Sequence, residues 1–299
     1  MNRDLTQGPV TKSMLLFALP MILGNLLQQF YNVADTLIVG QFLGSTALAA
    51  VGSSYTLMTF LTSILLGMCM GSGAVFSIRF GEGDLPRLKN SLSLSFLLIG
   101  GFTVALNVAV FLLIDPMMAL LQVPADVIPL MRSYLWVIFW GIGGTFLYNY
   151  FASLLRAVGN SAAPLVFLGV SAVLNIVLDL VFVVAVPWGV AGAAFATSFS
   201  QWVSGVGLLV YTWKRMAHLR PSRQDVYWKK DRVGEIARFS LLTCVQQSVM
   251  NFGILMVQGL VNSFGTVVMA AFAAAVKIDS FAYMPVQDFG NAFSTFIAQ

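Results

Sequence analysis

The sequence of 299 residues is 58% hydrophobic and only 9% charged, with a mean hydropathy of +0.85. Soluble domains carry about 25% charged residues, so this composition excludes a soluble globular protein and predicts an integral membrane protein. The net charge of +4 is explained by basic loops at one membrane surface, and we expect no nucleic acid among the partners.

Charged and Gly/Pro-rich breaks divide the chain into eight apolar segments, each near or above the ~20 residues that a membrane-spanning helix needs. The segments are 14–39, 49–78, 91–114, 131–155, 164–186, 190–213, 239–262 and 266–298. We therefore predict an all-α membrane protein in three parts. These are the first six helices (residues 1–213), a polar linker (214–238), and the last two helices (239–299).

The distribution of basic residues predicts the orientation in the membrane. All Lys and Arg except Arg132 and Lys277 lie on one side if the N-terminus is in the cytoplasm. Basic loops remain on the cytoplasmic side, so we predict a multi-pass protein of the cell membrane with a cytoplasmic N-terminus. The first outer connection is predicted to be the uncharged stretch 41–49.

The first segment contains an acid, Asp35, within an apolar run. A carboxylate at hydrocarbon depth costs roughly 2.5 to 3.5 kcal/mol on insertion scales, which makes it a candidate functional group. Gln28 and Tyr31 lie on the same helical stripe as Asp35. Pro20 interrupts the same helix, and its missing backbone hydrogen bond makes it either a bending point or an ordinary membrane-helix kink.

The fourth segment has aromatic residues towards its outer end and an amide deeper in the membrane. Tyr134, Trp136 and Trp140 favour an interfacial aromatic belt over a role in binding a ligand. Asn149 is a candidate for bridging helices. Tyr134 and Asn149 are also possible lining residues of a substrate cavity.

The fifth and sixth segments place three more polar residues at a depth close to that of Asp35. Asp35 is about five residues (~7 Å), Asp179 about eight (~12 Å) and Thr197 about seven (~11 Å) from the predicted outer ends of their helices. Asn175 lies one turn below Asp179. We predict one pocket formed by these helices, although the two acids could also lie in separate surroundings.

Two neighbouring carboxylates away from water resist double ionisation. The pair Asp35 and Asp179 is therefore predicted to hold a proton, or Na⁺ on oxygens that include those of Asn175 and Thr197. The proton or ion is then a switchable charge. At a membrane potential of ~100 mV, one elementary charge that crosses is worth ~2.3 kcal/mol.

The eighth segment carries a second polar set, Lys277, Asp279 and Asp288, as possible substrate-cavity residues. Lys277 and Asp288 share a helix face but are ~16 Å apart along the helix, so they cannot pair directly. Each is expected to meet partners on other helices. A purely structural role is the alternative.

The single His218 lies in the predicted linker, and Cys69 and Cys244 lie within separate apolar segments. This distribution excludes a familiar zinc, haem or Cys/His catalytic arrangement. We therefore expect neither an enzyme nor a cofactor. The two cysteines are interpreted as small buried hydrophobic residues.

The chain shows a weak internal repeat. Phe17 aligns with Phe239, and after a one-residue slip Gly44 aligns with Gly265. Because six helices precede the second copy, this is a parallel repeat about an axis along the membrane normal. A second half of six helices would give twelve, so the sequence is expected to be truncated after about eight.

Several blocks in order resemble the multidrug and toxic compound extrusion (MATE) transporters. They are Pro20, QFYNVADTLIVGQFLGSTALAA, LLRAVGNSAAP, NIVLD, VPWGVAGAAFAT and KIDSFAYMPVQDFGNAFSTFIAQ. The resemblance implies two six-helix lobes around a central cavity, and this chain would contain the complete N-lobe and the first two helices of the C-lobe. It further implies export of amphipathic, often cationic compounds, driven by H⁺ or Na⁺, by a protein that we expect to be monomeric.

The resemblance also implies site residues in the N-lobe. The family's helix-1 acid is matched by Asp35, and its polar cluster by the side chains Gln28, Tyr31, Asn175, Asp179 and Thr197, with Tyr134 as a further candidate. A lipid-linked oligosaccharide flippase of a related fold is the alternative. Such a protein should hold an anionic headgroup with arginines, and the middles of the first six segments contain none.

Overall fold

The computed structural model describes residues 10–222 and 225–298 of the chain. Its helices are α1 (Val10–Leu43), α2 (Ser45–Gly81), α3 (Leu85–Leu112), α4 (Ile114–Leu120), α5 (Ile128–Ile138), α6 (Ile142–Ala157), α7 (Ala162–Asp179), α8 (Val190–Arg215), α9 (Lys230–Asn262) and α10 (Thr266–Ala298). No strand occurs in the described ranges, and the predicted all-α membrane fold is confirmed.

Seven helical spans in the described part of the chain are long and apolar enough to cross a membrane. They correspond to the first seven predicted segments. The eighth is a continuous helix of 33 residues, α10.

The connection between α1 and α2 differs from the sequence prediction. Residues 41–49 were expected to form a loop, but both helices run into this stretch and only Gly44 separates them. Gly44 has a φ of 87°, a left-handed conformation that glycine adopts without steric cost. Gly265, its partner in the proposed repeat, has a φ of 91° immediately before α10. Both connections therefore end in a left-handed glycine, although three residues separate α9 from α10.

The fourth predicted segment is two helices, α5 and α6, joined by the 3-10 turn Phe139–Gly141. A turn of this kind leaves helix carbonyls without their usual partners, and neighbouring side chains donate to them. Asn107 Nδ2 donates to Phe139 O at 2.7 Å, and Trp202 Nε1 donates to Trp140 O at 2.8 Å. Helices α3 and α8 therefore stabilise the break.

The helices form a bundle whose two ends can be distinguished by their connections. At one end, called here the Gly44 end, α1 meets α2 and α9 meets α10. At the other, the linker end, the chain between α8 and α9 lies against α3, where Asn90 Nδ2 donates to Asp225 O at 2.7 Å and to Tyr227 O at 2.9 Å. The linker was predicted over 214–238, and its described part is helical at both margins because α8 ends at Arg215 and α9 begins at Lys230.

The last two helices pack mainly on the first two. Helix α9 lies along α2, and we call this contact the seam. Small residues of α2 allow close approach, since a Cβ placed on Gly67 would lie 2.5 Å from Cys244 Cα. Helix α10 packs on α1 and α2, where Phe17, Ala18 and Met21 form an apolar cluster with Ala292.

Candidate functional site

Three helices bring polar side chains to a similar depth near the Gly44 end. Asp35 lies eight residues (~12 Å) before the end of α1 at Leu43. Asp179 lies six residues (~9 Å) before the end of the following turn at Ala185. Thr197 lies seven residues (~10 Å) inside α8, which begins at Val190. Helix α1 packs against α7, and α7 against α8, so the shared depth brings these residues into one region.

Both carboxylates are buried, with Asp35 6% exposed and Asp179 fully enclosed. The Tyr134 phenol of α5 is also buried, and it lies within range of the electrostatic influence of both Asp35 and Asp179. Acids from two helices and a phenol from a third therefore occupy one buried region. Trp136 and Trp140 are more than half exposed, as expected for an aromatic belt, whereas Tyr134 points inward.

An amide and a hydroxyl join α7 to α8 beside the acids. Asn175 Nδ2 donates to Thr197 Oγ1 at 3.2 Å, as the shared depth of the two residues suggested. Asn175 Oδ1 is buried and accepts no hydrogen bond from the described residues. Together with Asp35, Asp179 and Tyr134, these residues are called here the carboxylate cluster.

The stripe on α1 extends the cluster towards the middle of the bundle. Gln28 forms a side-chain hydrogen bond with Tyr31, and Tyr31 interacts electrostatically with Asp35 and with Tyr55 of α2. Gln29 hydrogen-bonds to Tyr55 and is 1% exposed. Sequence reasoning missed Gln29 and Tyr55, because Gln29 lies off the predicted stripe and the polar residues of α2 were assigned to helix packing.

The backbone next to Asp179 departs from α-helical geometry. Helix α7 ends at Asp179 and is followed by the π-helical turn Leu180–Ala185. Such turns are rare and often occur at functional sites, because the wider spacing redirects the side chains beside them. The sequence contains no Gly or Pro at this point that would have indicated it.

The predicted polar residues of α10 have different surroundings. Asp288 is 3% exposed and accepts a hydrogen bond from Asn25 Nδ2 of α1. Asp279 is exposed, and the side chain of Lys277 lies outside the described residues. Asn149 donates to Thr145 O of its own helix at 2.9 Å, so this contact does not bridge helices.

A cavity of about 440 Å³ lies between the first six helices and the last two, in the half of the bundle nearer the linker end. Its described lining residues are Met21, Met70, Gly73, Ala74, Ser153, Arg156, Thr243, Gln246, Gln247, Met250, Tyr283, Gln287, Gly290, Asn291, Ser294 and Thr295. We call it the linker-end cavity. The residues predicted as possible substrate contacts, Tyr134, Asn149, Asp279 and Asp288, are not among these lining residues.

The donor set of the carboxylate cluster suits a proton or a hard cation. Carboxylate, amide and hydroxyl oxygens are ligands that such cations accept, and Asn175 Oδ1 is available as one of them. Among the described residues, no group of three or more His, Cys, Asp or Glu side chains is placed to hold a metal ion. The Na⁺ ligands predicted from the sequence remain a prediction.

Comparison of the sequence with known proteins identifies its family. The sequence model of the MatE family matches residues 20–181. The chain is 31% identical to "Probable multidrug resistance protein YpnP" of Bacillus subtilis (strain 168) over 99% of its own length and 66% of that protein. It is 30% identical to "Probable multidrug resistance protein YoeA" of the same organism, over 97% of its own length and 64% of that protein.

A solved structure described as the outward-facing conformation of a multidrug resistance MATE family transporter has the same fold. It superimposes with a TM-score of 0.87 at 23% identity, over 98% of this chain and 65% of that one. The chain thus spans just under two thirds of the length of the proteins that it matches.

Proposed function

The chain belongs to the MATE family of multi-pass membrane transporters, and we propose that it works as a secondary antiporter that exports amphipathic, often cationic compounds in exchange for H⁺ or Na⁺. The relatives described as multidrug resistance proteins support the export of drugs. Nothing in those descriptions favours the flippase alternative. The proposal that H⁺ or Na⁺ drives export is supported by the chemistry of the carboxylate cluster.

The burial of Asp35 and Asp179 in one cluster carries the proposal. Both carboxylates are buried and both act on the same buried Tyr134 phenol, so ionisation of one raises the cost of ionising the other in a medium of low dielectric constant. A proton or Na⁺ therefore stabilises the pair when it arrives and destabilises it when it leaves. Asn175 and Thr197 supply a further carbonyl and hydroxyl oxygen for Na⁺.

The coupling step is proposed to act through α1, which carries both Asp35 and Pro20. Pro20 lies inside this continuous helix, and its ring removes one backbone hydrogen bond there. Neutralisation of Asp35 changes how strongly the outer half of α1 is held against α7. A bend near Pro20 would then change the shape of the space between the two groups of helices.

The orientation of the protein is proposed from the placement of its charges. The linker end collects Arg79, which pairs with Glu235 at 2.6 Å, and Arg232, which hydrogen-bonds to Asn90 Oδ1 at 3.0 Å. The Gly44 end has Asp126 hydrogen-bonded to Thr266 at 2.9 Å. We therefore propose that the protein lies in the plasma membrane with its linker end facing the cytoplasm. This orientation follows the positive-inside rule.

Transport by an Asp35→Asn variant tests the proposal. In proteoliposomes with an imposed gradient of H⁺ or Na⁺, the variant should lose coupled efflux of a fluorescent amphipathic dye, because asparagine cannot exchange a proton or carry the charge. Asp115→Asn is the matched control, since Asp115 pairs with Arg132 on the surface and should leave efflux unchanged. Normal gradient-driven efflux by Asp35→Asn would overturn the assignment.

A further inference from the structure

The linker-end cavity differs from the carboxylate cluster in the sign of its charge. Helices α1, α2, α6, α9 and α10 line it, and its polar side chains are mostly amides and hydroxyls. Among its described lining residues, Arg156 in the last turn of α6 is the only charged side chain. A positive centre in a neutral polar wall favours a ligand with a complementary negative group.

The Arg156 guanidinium retains an unused donor. It hydrogen-bonds to the Tyr148 phenol, but its Nε is buried and has no hydrogen-bond partner among the described residues. None of the ion pairs found in the described part of the chain includes Arg156.

Asp288 is the acid whose charge acts on Arg156, and it does not take the place of a ligand. It is buried against α1, where it accepts a hydrogen bond from Asn25, and it does not line the cavity. Asp288 therefore reduces the positive potential at Arg156 without occupying the space in front of it. The cavity keeps room for a separate anionic group.

We propose that Arg156 forms a subsite for a carboxylate group on amphipathic compounds that enter the linker-end cavity. This inference rests on the proposed export function and narrows the class of substrate. A planar carboxylate matches the fork of one guanidinium and is neutralised by its single charge, whereas a doubly charged phosphate would keep a net negative charge in this neutral wall. Amide N–H groups of Gln246, Gln287 and Asn291 add neutral donors on the facing wall.

The interior of this cavity also suits the apolar body of such a compound. Met21, Met70 and Met250 line it, and methionine side chains adapt to ligands of different shapes. Tyr283 adds an aromatic ring whose hydroxyl lies 3.3 Å from Met250 Sδ. The predicted ligand therefore has an apolar, aromatic body with one carboxylate that reaches α6.

A pair of dyes that differ only in esterification tests the subsite. Rhodamine 19 carries a free carboxylate, and rhodamine 6G is its ethyl ester. Binding of each dye to the purified protein in detergent is measured by fluorescence polarisation. The wild type should bind the acid about ten-fold more tightly than the ester, which is the value of one charge-assisted hydrogen bond. Arg156→Gln should remove this preference, and Arg156→Lys should retain part of it.

A second variant keeps the test informative if substitutions of Arg156 prevent the protein from folding. Gln287→Glu keeps Arg156 in place and adds a negative charge to the facing wall, so it should lower the acid-to-ester ratio. An equal affinity of the wild type for both dyes, or an unchanged ratio in Arg156→Gln and Gln287→Glu, would overturn the subsite. Failure of the wild type to bind either dye would instead contradict the proposed export function and the subsite together.

Discussion

The carboxylate cluster and the seam between α2 and α9 contain different kinds of buried polar side chains. The cluster concentrates acids inside the first six helices, whereas the buried part of the seam is crossed by neutral pairs. Ser72 Oγ lies 3.0 Å from Ser240 Oγ, and Thr56 Oγ1 donates to Gln258 Oε1 at 3.0 Å. Separation of a neutral pair leaves two groups that water can satisfy, but separation of a buried ion pair would strand a charge. The seam is therefore the surface that can part at lower cost.

The largest expected effect comes from a substitution that fills the seam. Gly67→Leu would place side-chain atoms where Cys244 Cα already lies 2.5 Å from the first carbon. Overpacking of this kind costs about 3 kcal/mol of unfolding free energy. Thermal unfolding in detergent should show a clear loss of stability. Gly253→Leu is the control, since nothing lies within 4 Å of a Cβ at that position, and an equal loss there would argue against a tight seam.

The contact between Asn25 and Asp288 is an exception that sharpens the comparison, because a carboxylate here pairs across the two groups of helices. Asn25→Leu should cost about 2 kcal/mol, since it leaves the buried carboxylate without its donor. The double variant Asn25→Leu with Asp288→Leu should recover most of this loss. Unfolding measurements on the four proteins of the cycle provide the test, and additive effects would show that the two side chains are not coupled.

A substitution within the carboxylate cluster should affect coupling while sparing the seam. Thr197→Val removes a hydroxyl from the proposed ion site and keeps the side-chain volume, so the half-saturating concentration of the coupling ion should rise about ten-fold. Ion-dependent efflux in proteoliposomes measures it. Thr212→Val, near the linker end of the same helix, should leave that concentration unchanged.

The smallest effect is expected at the surface end of the seam. Arg79 and Glu235 pair at 2.6 Å with side chains that are 16% and 26% exposed. Water can solvate both charges when the helices part, so their coupling energy should be about 0.5 kcal/mol and should fall with added salt. A double-mutant cycle with Arg79→Gln and Glu235→Gln measures this energy. A coupling of several kcal/mol would mean that the seam is locked by charge.

The helices and several residues of the carboxylate cluster could be predicted from the order of apolar and polar residues along the chain. Long apolar runs indicate spanning helices, and residues at similar depth on helices that pack together come close in space, as Asn175 and Thr197 do at 3.2 Å. Sequence reasoning missed the joint at Gly44, because small polar residues there are equally typical of a loop. It also missed the 3-10 break in the fourth segment, whose stability depends on donors from α3 and α8.

The sequence could not indicate the linker-end cavity, because the periodicity of any one helix does not show that α6, α9 and α10 line a common space. Arg156 was counted only among the basic residues of the cytoplasmic side, but the last turn of α6 places it in the wall of the cavity. Tyr55 presents the same limitation. Its hydrogen bond to Gln29 depends on how α2 faces α1, which only the packed structure shows.

The single-residue joint at Gly44 has a mechanical consequence. A connection this short cannot absorb a displacement of α1, so movement at that end must pass directly into α2. Helix α2 is in turn the main support of α9. The joint thus acts as a stiff coupling between the helix that bears Asp35 and the helices on the other side of the seam. Under the proposed antiport, an inserted flexible loop at this position should let the ion bind at Asp35 without export of the dye.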